Sequence, residues 1–94
     1  MPSNNAVYCG QVTENGQITS NGNFSCNLVS EYTIDYNGNC VNPVPVIALT
    51  SQNPMLTYVL NAYSGGFKLY IYEQTANGPV PSKSSFNFVV GEII

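Results

Sequence analysis

Large apolar and polar residues alternate along most of this chain. Tyr32-Thr33-Ile34-Asp35-Tyr36 sends every second side chain to one side, the period of a strand with one face in a core and the other in water. Pro45-Val46-Ile47-Ala48-Leu49-Thr50 follows, an almost unbroken apolar run fenced by Pro43 and Pro45. Its length and β-forming residues predict a central strand covered on both faces. Asn37-Gly38-Asn39 lies between the two segments, and an Asn-Gly dipeptide tolerates the positive φ of a tight turn. The expectation is a β-pair joined there.

The same period continues on both sides. Ala6 to Val12 predicts a first strand, with Gly10 marking a close approach or a bulge. Asn15-Gly16 and Asn21-Gly22 bracket Gln17-Ile18-Thr19, a hairpin excursion rather than a full strand. Phe24, Cys26 and Leu28 alternate with Ser25 and Asn27. Leu56, Tyr58, Leu60 and Ala62 share one face and Thr57, Val59, Asn61 and Tyr63 the other. After Ser64-Gly65-Gly66, Phe67, Leu69 and Ile71 alternate with Lys68, Tyr70 and Tyr72, which makes this segment the hairpin partner of the last. Thr75 to Ser85, broken by Asn77-Gly78-Pro79 and Pro81, reads as a long loop. Phe86 and Phe88 then point one way, Asn87 and Val89 the other.

Apolar residues nowhere hold helical spacing for three turns, so no substantial helix is expected. The pattern predicts an all-β fold, a six- to seven-stranded antiparallel β-sandwich. Residues 6–94 form its single domain and residues 1–5 a flexible N-terminal segment. Tyr32, Tyr36, Phe86 and Phe88 belong to its core.

Composition narrows the function classes. Hydrophobic residues make up 44% of the 94 and charged residues only 7%, against roughly 25% charged in ordinary soluble domains. Solubility therefore rests on Asn, Ser, Thr, Gln and Gly, a surface suited to extracellular or particle-borne proteins and to subunits that assemble. Two lysines, no arginine and a net charge of −3 leave no basic patch for phosphates, which argues against nucleic-acid binding. The longest apolar run is far short of the roughly 20 residues that cross a bilayer. No basic segment followed by an apolar one opens the chain, so neither membrane insertion nor a secretion signal of its own is expected.

Cys9, Cys26 and Cys40 are odd in number, which excludes a complete intramolecular disulfide framework. One pair with a free thiol, or buried cysteines acting as small hydrophobes with Cys26 facing inward, are the open readings. Histidine is absent and the cysteine spacings match no zinc knuckle, so no metal or other cofactor is expected.

Several segments, taken in order, resemble a known family. They are Gly10-Gln11-Val12, Gly16, Gly22-Asn23-Phe24-Ser25, Tyr32-Thr33-Ile34-Asp35-Tyr36, Pro45-Val46-Ile47-Ala48-Leu49-Thr50 and Ser85-Phe86-Asn87-Phe88-Val89-Val90-Gly91. Together they are similar to the H-type-lectin-like β-sandwich domains at the ends of phage tail fibres and related adhesins. The resemblance implies a homotrimer, placement on a virion or outside the cell, and either recognition of cell-surface sugars or a structural role at a fibre tip. The chain lacks the Trp and Arg that such lectins use, so no sugar contact is carried over.

The residues themselves support binding better than catalysis. Without histidine no Ser-His-Asp or Cys-His arrangement exists. Asp35 and Glu73 can be proposed as facing carboxylates, but scattered surface acids are by far the better reading of them, and no enzyme is expected. Sugar rings stack on aromatic faces while amides and hydroxyls fix their hydroxyl pattern. Tyr63 at a loop mouth, Asn61 beside it and the outward Tyr72 are therefore the ligand-binding candidates. Lys68 between aromatic neighbours offers a cation-π contact or guards a strand edge. The leading expectation is a trimeric adhesion domain recognising cell-surface glycans. The alternative is a structural trimerisation or capping module that binds no ligand, with Tyr58 and Tyr70, beside Tyr72, as interface residues.

Overall fold

A computed structural model describes residues 4–20, 24–37 and 43–93. Eight strands form in chain order: β1 (Asn4–Val12), β2 (Phe24–Leu28), β3 (Tyr32–Tyr36), β4 (Pro43–Leu49), β5 (Leu56–Tyr63), β6 (Gly66–Thr75), β7 (Gly78–Pro81) and β8 (Phe86–Ile93). They make two antiparallel sheets, and no helix occurs among the described residues. The smaller sheet runs β1-β8-β4. The larger runs β2-β3-β6-β5, with β7 also paired to β6.

Alternation builds the core as expected. Tyr8 and Val12 from β1, Ile47 from β4 and Phe86, Phe88 and Val90 from β8 face Phe24, Tyr32, Ile34, Tyr36, Phe67, Leu69 and Ile71 of the larger sheet. Phe88 sits at the middle, its ring edge-on to Phe24 at 4.8 Å and to Phe67 at 5.3 Å between centroids. Tyr8 stacks on Tyr36 at 4.6 Å. Such ring pairs add to simple area burial. The hydroxyl of Tyr32 donates to the Glu14 carbonyl at 2.6 Å, which ties the excursion after β1 to the core.

Two glycines permit close approaches. A Cβ on Gly10 would run into the Phe24 ring, and one on Gly66 would overlap the carbonyl oxygen of Ile34 in β3. The close approach expected at Gly10 is therefore present, while the register shift in β1 lies between Ala6 and Tyr8.

Four expectations need correction. First, β3 and β4 do not pair: β3 lies between β2 and β6, and β4 pairs with β8 in the other sheet. The Gly38-Asn39 turn lies outside the described residues, as do Asn21-Gly22 and Cys40. Second, β4 is not a doubly covered central strand but the edge of the smaller sheet. Only Ile47 in it is buried, and Val46 is 65% exposed. An apolar run describes what a strand could bury, and the neighbours decide what it does bury. Third, β7 forms inside the expected loop, which raises the count to eight. Ser82 donates to the Ile71 carbonyl at 2.9 Å. Alternate residues of a strand point their backbone groups to opposite sides, so Pro79 and Pro81 turn their nitrogens away from β6 and cost the ladder nothing. Fourth, β1 begins at Asn4, two residues before the strand start expected at Ala6.

Cys9 lies on the outer face of the smaller sheet and is exposed, in one row with Val89 and Val46. It is not a buried hydrophobe. Cys26 does face inward, half-buried against the core, and burial pushes its thiol up to about 11.

Candidate functional site

The long strand β6 organises the larger sheet and carries its polar face. Phe67, Leu69 and Ile71 enter the core, so strand parity turns Lys68, Tyr70 and Tyr72 outward. β5 runs along one side of β6 for its whole length, joined by the two-residue turn Ser64-Gly65. On the other side β3 pairs as far as Leu69 and β7 begins at Tyr72.

This register sets side chains in rows across the outer face. Tyr63, Gly66, Asp35 and Ser25 form one row, and Asn61, Lys68, Thr33 and Asn27 the next. Gly66 contributes no side chain to its row, so the Tyr63 ring spans the gap. Its hydroxyl donates to Asp35 Oδ1 at 3.4 Å. Burial, and then the neighbouring Asp35 carboxylate, hold the Tyr63 phenol above its ordinary value, so it is a neutral donor at neutral pH. The corner thus holds a partly exposed ring, a carboxylate, an amide and an ammonium group.

Farther along, Val59 lies opposite Tyr70, and Thr57 opposite Tyr72 and Pro81. Because β3 leaves β6 before β7 joins it, a notch of about 240 Å3 opens there, lined by Ser30, Tyr70, Ile71, Tyr72 and Pro81. Tyr72 belongs to this notch. From the Gly66 row to Tyr72 is about 20 Å along β6 at the rise of an extended strand. The structure therefore brings Asn61 and Tyr63 together and places Tyr72 apart from them.

Tyr58 and Tyr70 are separated more completely. Tyr70 is half-buried on the outer face. Tyr58 points to the inner side of β5 at the rim, 41% exposed, with its hydroxyl 3.5 Å from the Ile47 carbonyl. No single flat patch contains both.

Asp35 and Lys68 join the corner although neither was singled out as a ligand contact. Strand parity turns both outward, but only the pairing of β3 with β6 and β5 makes them neighbours of Tyr63 and Asn61. The pairing also separates Asp35 from Glu73, by about 23 Å along β6. Glu73 instead accepts from Asn53 Nδ2 at 3.2 Å. These two acids do not face one another across a scissile bond.

Among the described residues no group of three or more Cys, Asp or Glu side chains is placed to hold a metal, and no helix is long and apolar enough to cross a membrane. No protein-family model matches the chain, and no curated protein or solved structure is significantly similar to it.

Proposed function

We propose that the outer face of the larger sheet binds carbohydrate, and that the chain is a receptor-binding or adhesion domain of a viral or phage-like fibre that recognises cell-surface glycans as a trimer. The observation that supports this reading best is the corner formed by Tyr63, Asp35, Asn61 and Lys68. An exposed ring offers a face for the apolar side of a sugar. A carboxylate accepts from vicinal hydroxyls, and an amide and an ammonium group complete the donor set. Asp35 and Lys68 offset one another, and no cluster of cations favours a phosphorylated or sulfated ligand, so the chemistry suits a neutral sugar. One shallow corner binds weakly. Three on one tip bind usefully, because the second and third contacts form at high effective concentration.

Replacing Tyr63 tests the site. Tyr63→Ala is expected to abolish adhesion to a glycan-bearing surface while leaving the native mass unchanged, since the side chain lies outside the core. Undiminished adhesion by a folded Tyr63→Ala protein would overturn the assignment.

A second reading has its own support. The β5 rim is apolar and uncharged, with Tyr58 and Val59 exposed, which suits a structural module that assembles and binds no ligand. Wild-type protein that assembles tightly yet retains no neutral glycan on an array favours that reading.

A further inference from the structure

Every open sheet edge presents unpaired backbone donors and acceptors, and soluble proteins restrict pairing there with proline, charge, short strands or covering segments. Among the described strands, four of the five edges carry such a feature along part or all of their length. On β1 the following segment covers the last part of the free side: the Thr19 amide donates to the Gln11 carbonyl at 3.0 Å, and the Gln11 amide donates to Ser20 Oγ at 3.0 Å. β2 is only five residues long. On β4 the Thr50 amide bonds to the Ser85 carbonyl of the neighbouring chain segment. Counting back by alternation, Pro43 and Pro45 occupy positions whose nitrogens face the free side. Pro79 and Pro81 do the same on β7.

The fifth edge, β5, has none of these devices beyond its first residue, whose amide donates to the Asn53 carbonyl at 3.3 Å. Leu56-Thr57-Tyr58-Val59-Leu60-Asn61-Ala62-Tyr63 contains no proline, no glycine and no charge. The Gln74 amide bonds to the Met55 carbonyl at 2.9 Å. Positions 57, 59, 61 and 63 therefore bond to β6. Tyr58, Leu60 and Ala62 direct their amides and carbonyls away from it, where no described strand pairs with them. The inner side chains of β5 are also incompletely covered: Tyr58 and Ala62 are exposed and Leu60 is half-buried.

We propose that β5 pairs antiparallel with β5 of a second copy of this chain, about a two-fold axis at Val59, so that two five-stranded sheets become one. In this register Tyr58 stands opposite Leu60 of the partner subunit, and Leu56 opposite Ala62 of the partner subunit. The outward-facing backbone groups of Tyr58 and Leu60 then meet as hydrogen-bonded pairs, while at the strand ends the Leu56 amide already donates to the Asn53 carbonyl of its own chain at 3.3 Å. Thr57 falls opposite Asn61 of the partner subunit, and Val59 meets its own symmetry mate. Inner faces meet inner faces, and no charge is buried. An eight-residue strand is about 26 Å long, and pairing it with both rows of side chains removes on the order of 1,000 Å2 from water over the two copies, the lower bound for a specific interface.

This contact is independent of carbohydrate binding and leaves the Tyr63-Asp35 corner open. A two-fold contact requires an even number of chains: two, or six where the proposed trimer also forms. Light scattering of the native protein should give one of those masses, and one or three chains would overturn the proposal. Leu60→Pro removes an amide that makes no bond to β6, so the β5-β6 hairpin persists; the particle mass should fall two-fold with the near-ultraviolet spectrum retained. An undiminished mass for a folded Leu60→Pro protein would also overturn it. Hydrogen exchange on the unmodified protein decides the matter without any variant. The Tyr58 and Leu60 amides should exchange as slowly as those of Val59 and Asn61, whereas rapid exchange at Tyr58 and Leu60 would show a free edge.

Discussion

β4 and β5 are successive edge strands, one from each sheet, and they meet the solvent in opposite ways. β4 is apolar on both faces, yet its two prolines stand where free amides would otherwise point outward, and its one buried residue, Ile47, closes the core. β5 has the same apolar character and no such protection. Hydrophobicity alone does not separate them. The placement of proline relative to the ladder does, and four of the six prolines in the chain, Pro43, Pro45, Pro79 and Pro81, stand at solvent-facing ladder positions. An edge left bare in a chain that restricts its other edges marks where pairing is tolerated.

The contrast is broken most directly through the inward residue of each strand. Ile47→Ala removes a 7% exposed side chain and should cost about 3 kcal/mol of folding stability, at any protein concentration. Leu60→Ala removes a half-buried one and should cost about 1 kcal/mol in the separated chain. Its penalty should grow with protein concentration, because association contributes to apparent stability by mass action. Urea midpoints at two concentrations a hundredfold apart read both. Equal, concentration-independent losses would remove the distinction between the rims.

A smaller change sharpens it from the other side. Pro45→Ala restores an amide on the free side of β4 without disturbing the bonds to β8. Stability should change by less than about 1 kcal/mol, mostly through the freer unfolded chain. The expected readout is association: sedimentation should show species larger than the wild-type particle, while a Pro81→Ser control on the four-residue strand β7 shows fewer of them.

The outline of this fold was legible in the sequence wherever alternation was clean. Tyr32, Tyr36, Phe86 and Phe88 are all buried, and the hairpin across Ser64-Gly65 forms as its pattern implies. What failed was pairing. Tyr32–Tyr36 and Pro43–Leu49 look like neighbours because both are strands separated by a turn signal, but the chain passes from one sheet to the other between them. β7 was hidden because two prolines in four residues look like a loop until their nitrogens are known to face solvent. The corner was half legible for the same reason. Parity put Tyr63 and Asn61 on one face of their strand without saying that it is the outer one, and Asp35 and Lys68 reach them only through long-range pairing, which local periodicity does not encode.

The smallest effect on folding comes from the two outward valines. Val46 on β4 is 65% exposed and Val59 on β5 is 56% exposed, so Val46→Lys and Val59→Lys should each shift folding stability by less than about 0.5 kcal/mol. They differ in what lies across from them. Val46 pairs with Val89 inside its own sheet, and a lysine there extends into water. Val59 lies on the proposed two-fold axis, so a lysine there meets its own copy at the distance of directly opposed cross-strand residues, where like charges oppose pairing. Val59→Lys should therefore lower the particle mass two-fold at low ionic strength and recover part of it in high salt, which screens the repulsion. Val46→Lys should do neither. Matching masses for the two variants at every salt concentration would mean that the outer sides of β4 and β5 are equally remote from any second chain, and the difference between the two rims would be one of sequence without a consequence for assembly.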